Sequence, residues 1–206
     1  MTTFISRREL LKRAGLASAA AAIVRPDALM PANAAAQAPL ANLTAGEADL
    51  LNAVVARLIP ADATSIGALE AGATRYIDRA LGGALAASRP AYRAGLAALD
   101  QYARTSRGKG FRELAAVEQD AVLMDVEAGS ANGFADGATF FTLVRTHTIQ
   151  GTFCDPFYGG NANFAGWDLI GYPGVRTIAT ADEQRLGADV PGNHKSAYDY
   201  DMFTKP

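Results

Sequence analysis

The sequence has few of the residues that hold redox cofactors. Its 206 residues include one cysteine, Cys154, and two histidines, His147 and His194. Covalent haem needs a C-x-x-C-H run, iron–sulfur clusters ordinarily need four thiolates, and structural zinc needs four Cys or His ligands. The G-x-G run at residues 108–110 lacks the third glycine of a dinucleotide-binding turn. We therefore predict that this chain holds no cofactor of its own.

An excess of basic charge is also missing. Nineteen Lys and Arg side chains oppose 21 Asp and Glu side chains, which gives a net charge of −2. Proteins that bind nucleic acid ordinarily carry a basic surface, so this balance argues against a nucleic-acid partner. With 50% hydrophobic residues, the chain is long enough for one domain with a substantial core and too short for two domains of ordinary size.

The first 38 residues have the order of a bacterial export signal. Arg7 and Arg8 precede a modestly apolar stretch at residues 14–24, and residues 32–38 offer several A-x-A cleavage frames. Paired arginines mark the twin-arginine route, which exports folded proteins. As a helix, the apolar stretch would reach about 16 Å, against about 30 Å of membrane hydrocarbon. We therefore predict a cleaved twin-arginine signal peptide at 1–38 rather than a membrane anchor.

The predicted export route suggests a partner. A chain uses this route when it must fold, or acquire a cofactor, before it crosses the membrane. No cofactor motif is present here, so either the domain folds too fast for unfolded export or it carries a cofactor-loaded subunit with it. The predicted location is the periplasm.

Residues 39–150 predict a small all-α bundle of about five helices. Thr44 and Glu47 fit a capping box, and the apolar run behind them stops at Pro60. Ser88 and Asp136 are expected to cap the third and fifth helices. The expected core face of the fourth helix comprises Val117, Ala121, Met124 and Val126. No segment alternates like a half-buried strand.

Residues 151–206 are predicted to be an irregular segment of the same domain that wraps a partner and becomes ordered on binding it. Glycine and proline recur every few residues, and aromatic residues are dense between them. Loops of this length are ordinarily functional or ordered by a partner. Trp167 and Tyr172 would serve either as interface anchors or as a cap on the bundle. The interface candidates are Phe153, Cys154, Phe157, Tyr158, Asn161, Trp167 and Tyr172.

Cys154 leaves three interpretations open. A lone cysteine in an exported protein is a buried thiol, a reactive thiol or one half of an intersubunit disulfide. His147 and Asp155 nearby would supply the base and orienting group of a cysteine hydrolase, although their spacing assures no hydrogen bond. The disulfide and the buried thiol are the two interpretations that we favour.

Two further sites stay open as weaker hypotheses. Two histidines and a carboxylate suffice for an open metal site, but no paired spacing supports one. Its ligands would be His147 and His194 together with Asp168, Asp189 or Asp199. Residues 159–161, Gly-Gly-Asn, would form a phosphate-binding nest or, more simply, a turn with positive φ.

The motifs of the C-terminal half resemble the gluconate 2-dehydrogenase subunit 3 family. They are DPFYGGN at 155–161, GW at 166–167 and GYPG at 171–174, with IPAD at 59–62 and GALEAG at 67–72 upstream. The twin-arginine leader is similar too. The chain departs from the expected pattern at Thr64-Ser65-Ile66, where a proline-containing turn would be expected.

The resemblance implies a role without catalysis. This family is the small, gamma subunit of membrane-associated, FAD-dependent sugar and sugar-acid dehydrogenases. Its partner would be a glucose–methanol–choline-type catalytic subunit that binds FAD, and a multihaem cytochrome c subunit would carry haem c. The resemblance implies no catalytic residue in this chain and a chaperone-like role in folding, FAD loading and co-export. The alternatives are a free-standing periplasmic enzyme and a solitary ligand-binding protein.

Overall fold

The computed structural model describes residues 40–204, and within them all regular structure is helical. Five longer helices form the body, and two short ones follow. They are α1 (Ala45–Leu58), α2 (Ala73–Leu81), α3 (Arg89–Arg107), α4 (Ala116–Glu127), α5 (Gly137–Phe153), α6 (Ala165–Leu169) and α7 (Asp201–Thr204). The predicted all-α fold is confirmed. The predicted signal peptide, with Arg7 and Arg8, lies outside the described residues.

The first helix begins and ends as its sequence predicts. The Thr44 hydroxyl accepts a hydrogen bond from the Glu47 amide at 3.3 Å, and a Glu47 carboxylate oxygen accepts one from the Thr44 amide at 2.8 Å. The helix ends at Leu58, two residues before Pro60. Ser88 and Asp136 also stand at N-cap positions, but neither side chain caps its helix. The prediction of side-chain caps at these two helices was therefore wrong.

Helix α5 is the central element of the bundle. It packs against α1, α2, α3 and α4, and its buried residues include Phe140, Phe141 and Val144. Gly95 of α3 faces it at a position where a Cβ would overlap the Phe140 ring. Each large apolar side chain buried in this way contributes about 1.5–3 kcal/mol. The core therefore fixes α5, and α5 in turn positions the segment that follows it.

Helix α4 presents a different face to the core from the one predicted. Val117 is 75% exposed and Met124 is 63% exposed, whereas Val122, Leu123 and Val126 are buried. Apolar residues occur on both faces of this helix, so its periodicity does not single out the buried side. Of the predicted face, Val126 is the residue that lies in the core.

A buried carboxylate on α2 binds the segment that leads into α1. Asp78 is 5% exposed, and its side chain accepts hydrogen bonds from the amides of Ala41, Asn42 and Leu43 at 2.8–2.9 Å. The Asn42 side chain donates to the Asp78 carbonyl at 2.7 Å. Charged acceptors make the stronger hydrogen bonds of proteins, so this contact fixes the start of the described chain against α2.

Helix α5 extends three residues past the predicted limit at 150. Gly151 lies in its last turn, where a Cβ would stand 2.9 Å from the Cα of Ala73. Glycine ordinarily weakens a helix, but here it permits close packing of α5 on the first residue of α2. The irregular segment therefore begins at Cys154, directly at the end of the central helix.

Candidate partner-binding site

A tight turn follows α5 and presents two aromatic side chains. The Asp155 carboxylate accepts a hydrogen bond from the Phe157 amide at 2.9 Å, and Pro156–Tyr158 form one turn of 3-10 helix. Gly159 ends this turn with φ 95°, a conformation that favours glycine. Phe157 is 45% exposed and Tyr158 is 47% exposed. The turn therefore leaves nearly half of each ring on the surface.

Asn161 organises the loop from inside the protein. Its side chain is fully buried, its Oδ1 accepts from the Gly166 amide at 2.8 Å, and its Nδ2 donates to the Cys154 carbonyl at 2.8 Å. Its own amide donates to the Gly151 carbonyl at 2.9 Å. This amide is therefore used within the chain, and the Gly-Gly-Asn sequence forms a turn. The phosphate-nest hypothesis is not supported.

The glycines at 160 and 166 permit close packing of this loop on the end of α5. A Cβ on Gly160 would overlap the Gly151 carbonyl, and a Cβ on Gly166 would overlap the Thr152 carbonyl. Backbone therefore lies directly on backbone at both positions. A side chain at either residue would separate the loop from α5 and move the aromatic turn.

Trp167 closes the end of the bundle. It is 5% exposed, and its Nε1 donates to the Phe153 carbonyl at 2.9 Å. Tyr172 is 41% exposed and packs edge-on against the Trp167 ring, with the centroids 4.8 Å apart. Asn161 and Trp167 thus have structural roles in this chain, while Tyr172 remains accessible. The assignment of all three to a partner interface stays a prediction.

An apolar groove runs between α2, α5 and the aromatic turn. Its volume is about 640 Å³, and we call it the α2–α5 groove. Ile149 of α5 is 46% exposed within it. Arg79 stands at the turn, where its guanidinium donates to the Phe157 carbonyl at 2.9 Å and lies 5.7 Å from the Phe157 ring centroid. Apolar lining side chains include Ala80, Ala84, Ile149, Phe153 and Tyr158.

The C-terminal tail packs against the same turn. The Asp155 carboxylate accepts hydrogen bonds from the Ser196 hydroxyl at 2.6 Å and the Ala197 amide at 2.9 Å. Tyr198 stacks on Phe157 with the ring centroids 3.6 Å apart, and its hydroxyl is 2.9 Å from that of Tyr158. Residues 196–199 therefore cover one side of the aromatic turn and leave its other side on the groove.

Cys154 lines the groove as a partly buried, unpaired thiol. Burial is the main cause that raises its pKa to about 11. A thiol with this pKa is almost fully protonated at neutral pH and is a poor nucleophile. Of the two predicted partners, His147 Nδ1 lies 3.0 Å from the Tyr92 hydroxyl, and Asp155 bonds the tail. The geometry thus does not support the cysteine-hydrolase alternative.

The histidines do not meet in a metal site. His147 is 6% exposed in the core, where burial lowers its pKa, whereas His194 lies on the surface with its Nε2 2.7 Å from Asp168. Asp199 accepts a hydrogen bond from the Ser196 amide in the tail. Across residues 40–204, no group of three or more His, Cys, Asp and Glu side chains is placed to hold a metal ion.

A second cavity, of about 690 Å³, lies between α1 and α3 and is polar. Two of its arginines form ion pairs with acidic neighbours. Arg104 bonds Asp100 at 2.9 Å, and Arg93 lies 3.7 Å from Glu47. The lining carries three arginines and three carboxylates in all, so its positive and negative charges balance. The α2–α5 groove is therefore the better candidate for binding.

Fold and site together define an all-α protein with an apolar surface groove beside an ordered aromatic turn. The family model of gluconate 2-dehydrogenase subunit 3 matches residues 45–174, which is more than half of the chain. The chain therefore belongs to the gluconate 2-dehydrogenase subunit 3 family, as its motifs predict. No curated protein and no solved structure matches significantly. In the described part of the chain, no helix has the length and apolar character needed to span a membrane.

Proposed function

We propose that this chain is the non-catalytic small subunit of a periplasmic, FAD-dependent sugar, polyol or sugar-acid dehydrogenase. Its family is named as subunit 3 of gluconate 2-dehydrogenase, which supports membership of a dehydrogenase complex, and the match includes both α2 and α5. In this proposal, a glucose–methanol–choline-type subunit holds FAD and oxidises the substrate. A multihaem cytochrome c subunit carries the electrons onward and links the complex to the inner membrane.

The α2–α5 groove is the observation that carries this proposal. Ile149 and Tyr158, which line it, and Phe157 of the adjacent turn each expose nearly half of their surface. Burying the rest of each side chain against a partner would contribute about 1 kcal/mol, because full burial is worth about 1.5–3 kcal/mol. Aromatic residues beside a preformed pocket are typical of the side chains that dominate interface energetics. We therefore assign the groove and turn to the contact with the catalytic subunit.

Binding of this chain would also support the folding of the catalytic subunit. A partner that binds the native catalytic subunit, and not its unfolded chain, stabilises the native state by mass action. Covering apolar surface on that subunit also removes a site of aggregation. FAD loading then takes place on a folded subunit. Arg7 and Arg8 of the predicted leader would send the assembled pair across the membrane by the twin-arginine route.

Cys154 provides a further proposed link between the subunits. It lines the groove as the chain's single cysteine, so a disulfide at this position requires a cysteine of the partner. Forming that bond removes two electrons and two protons from two thiols, and a disulfide oxidant of the periplasm would accept them and be reduced to two thiols. Non-reducing electrophoresis of the native complex should show a heavier band that collapses on reduction. An unshifted band would mean that Cys154 remains a free thiol.

Affinity capture separates the proposed function from its alternatives. The tagged chain, purified from its own cells, should bring down a flavoprotein with bound FAD. The chain alone, assayed with sugars and an artificial electron acceptor, should show no oxidation. Sugar oxidation by the isolated chain would identify a free-standing enzyme. Capture of no flavoprotein would favour a solitary ligand-binding protein.

A further inference from the structure

Arg79 carries the charge of the α2–α5 groove. In the part of the chain that the structure describes, the other side chains that line the groove are apolar or uncharged, and no carboxylate lies among them. Arg79 forms no ion pair with any of residues 40–204, whereas eight other arginines do. The groove therefore combines an apolar surface with a positive charge that the described chain does not pair.

The guanidinium of Arg79 is held in a fixed position beside the aromatic turn. It donates to the Phe157 carbonyl at 2.9 Å, and its Cζ lies 5.7 Å from the centroid of the Phe157 ring. A Cβ on Gly159 would stand 3.3 Å from the Arg79 Cδ, so the stem of the side chain packs on the backbone of the turn. A guanidinium has several N–H donors in a rigid fork, and one carbonyl does not use them all. The remaining donors are available to a carboxylate.

The two sides of the groove indicate the form of the segment that fits it. All regular structure in residues 40–204 is helical, so this region offers no strand edge to an extended segment, and recognition depends on side chains. Ala80 and Ala84 give one side of the groove short side chains, and Ile149 and Phe153 give the other side long ones. A helix can approach the short side closely, because the distance between packed helices depends on the side chains at their contact. An amphipathic helix is therefore the segment that this surface fits.

We propose that the α2–α5 groove binds an amphipathic helix of the catalytic subunit and that an Asp or Glu of this helix pairs with Arg79. This inference rests on the proposed function and adds the chemistry of the contacting segment. Apolar side chains of the helix would cover Ile149 and Tyr158, which are 46% and 47% exposed. The carboxylate would accept two N–H groups of the guanidinium, which is the bidentate geometry that arginine favours.

The apolar lining makes this ion pair selective. Covering the groove would exclude water from the guanidinium, and the attraction between two charges is stronger where water is excluded. An apolar helix without a carboxylate would bury part of the Arg79 charge without a partner, which costs free energy. Arg79 would therefore discriminate against helices that are merely apolar.

Affinity for the catalytic subunit tests the ion pair. The full chain is titrated with the FAD-loaded subunit that it captures, as wild type, as Arg79→Gln and as Arg89→Gln. Arg89 is the matched control because it is also exposed, forms no ion pair within residues 40–204 and lies outside the groove. We expect Arg79→Gln to bind about tenfold or more weakly and Arg89→Gln to bind as wild type. Equal affinity of Arg79→Gln and wild type, or an equal loss in both variants, would overturn the inference.

Salt dependence separates an ion pair from a structural effect of the substitution. Arg79→Gln also removes the hydrogen bond to the Phe157 carbonyl, and a shift of the aromatic turn would by itself weaken binding. Screening by salt acts on the charge pair, so raising the ionic strength should weaken the binding of wild type more than that of Arg79→Gln. The same salt dependence in both proteins would show a structural role alone and would contradict the proposal.

A zero-length crosslink identifies the carboxylate directly. Arg79→Lys keeps the positive charge and supplies a primary amine. A carbodiimide joins that amine to a carboxylate in contact with it as an amide, and the water that is lost converts the carbodiimide to a urea. We expect the substituted residue to be joined to an Asp or Glu on a helix of the catalytic subunit, with no such product from Arg89→Lys. No crosslink, or an equal yield from Arg89→Lys, would overturn the inference.

Two outcomes distinguish failure of this inference from failure of the proposed function. If the tagged chain captures no flavoprotein, both are wrong. If wild type and Arg79→Gln capture the flavoprotein equally while Ile149→Glu loses it, the groove binds the catalytic subunit without a carboxylate. In that case the ion pair is wrong and the proposed function stands.

Discussion

The Asp155 carboxylate and the Ser196 hydroxyl are joined by a hydrogen bond of 2.6 Å across 41 residues of sequence. The same carboxylate accepts from the Ala197 amide and from the Phe157 amide. One side chain therefore shapes the aromatic turn and holds the tail against it. The tail, which its sequence predicts to wrap a partner, lies on its own domain in this structure.

Asp155→Ala should release the tail without unfolding the bundle. The substitution removes the acceptor of the Ser196 hydroxyl and the Ala197 amide, and each such bond to a charged group is worth about 1.5–3 kcal/mol. Amide exchange in residues 196–204 should accelerate by about tenfold or more, since 1.4 kcal/mol is a factor of ten. Asp182→Ala, on an exposed ion pair with Arg185, is the control. Unchanged tail exchange in Asp155→Ala would contradict this role.

Asp78→Ala should destabilise the whole domain. The buried carboxylate accepts three backbone hydrogen bonds, and its loss leaves three amides without their acceptor. We expect the free energy of unfolding to fall by about 3 kcal/mol, with Asp78→Asn losing less because it keeps one acceptor oxygen. Urea denaturation measures both. A loss below about 0.5 kcal/mol, which is typical of surface substitutions, would show that the contact is unimportant.

Stability should decline as the pH falls below about 6.5 because of His147. Burial lowers the pKa of His147 in the folded chain from its ordinary value of 6.5. The contribution of neutral His147 to the free energy of unfolding is fully present above the pKa of this residue in the unfolded chain. It is lost as the pH falls toward the lower pKa in the folded chain, because the unfolded chain binds the proton first. In the His147→Gln variant, the urea denaturation midpoint should change less with pH below about 6.5. An equal slope in both proteins would refute the assignment.

Alkylation of Cys154 should depend on pH in the way expected of a buried thiol. The rate should keep rising toward about pH 11, where burial places the pKa of this group. The denatured chain, in which the thiol has its ordinary pKa, provides the control and should level off at lower pH. A plateau near pH 9 in the folded chain would show that the thiol is solvated and would contradict its burial beside the groove.

The helical fold was predictable because its signals are local. The Thr44 and Glu47 capping box and the stop at Pro60 involve residues that are neighbours in sequence, and both are confirmed. The face of α4 was not predictable, because Val117 and Met124 repeat with the same spacing as the residues that are buried. Which apolar face packs inward is decided by the neighbouring helices, and a periodic pattern carries no information about them.

The candidate site was only partly predictable for the same reason. The aromatic turn was visible because Phe157 and Tyr158 lie between the turn-forming pairs Asp155-Pro156 and Gly159-Gly160. The groove joins Ala80 of α2 to Ile149 of α5, which are far apart in sequence, and no motif marks their contact. The half-exposed Ile149 is therefore the residue that sequence analysis missed. An isoleucine at the end of a predicted core helix gives no signal of surface exposure.

Binding of the catalytic subunit by paired variants is the most direct test of the account. The chain is co-expressed with its FAD-dependent partner as wild type, as Ile149→Glu and as Ile178→Glu, and captured subunit and bound FAD are measured. Ile178 is the control because it is 80% exposed and lies outside the groove. Wild type and Ile178→Glu should capture equal amounts of FAD-loaded subunit, while Ile149→Glu should capture about tenfold less, a loss of about 1.4 kcal/mol or more. Equal capture by all three proteins would contradict the claim that the α2–α5 groove binds the catalytic subunit.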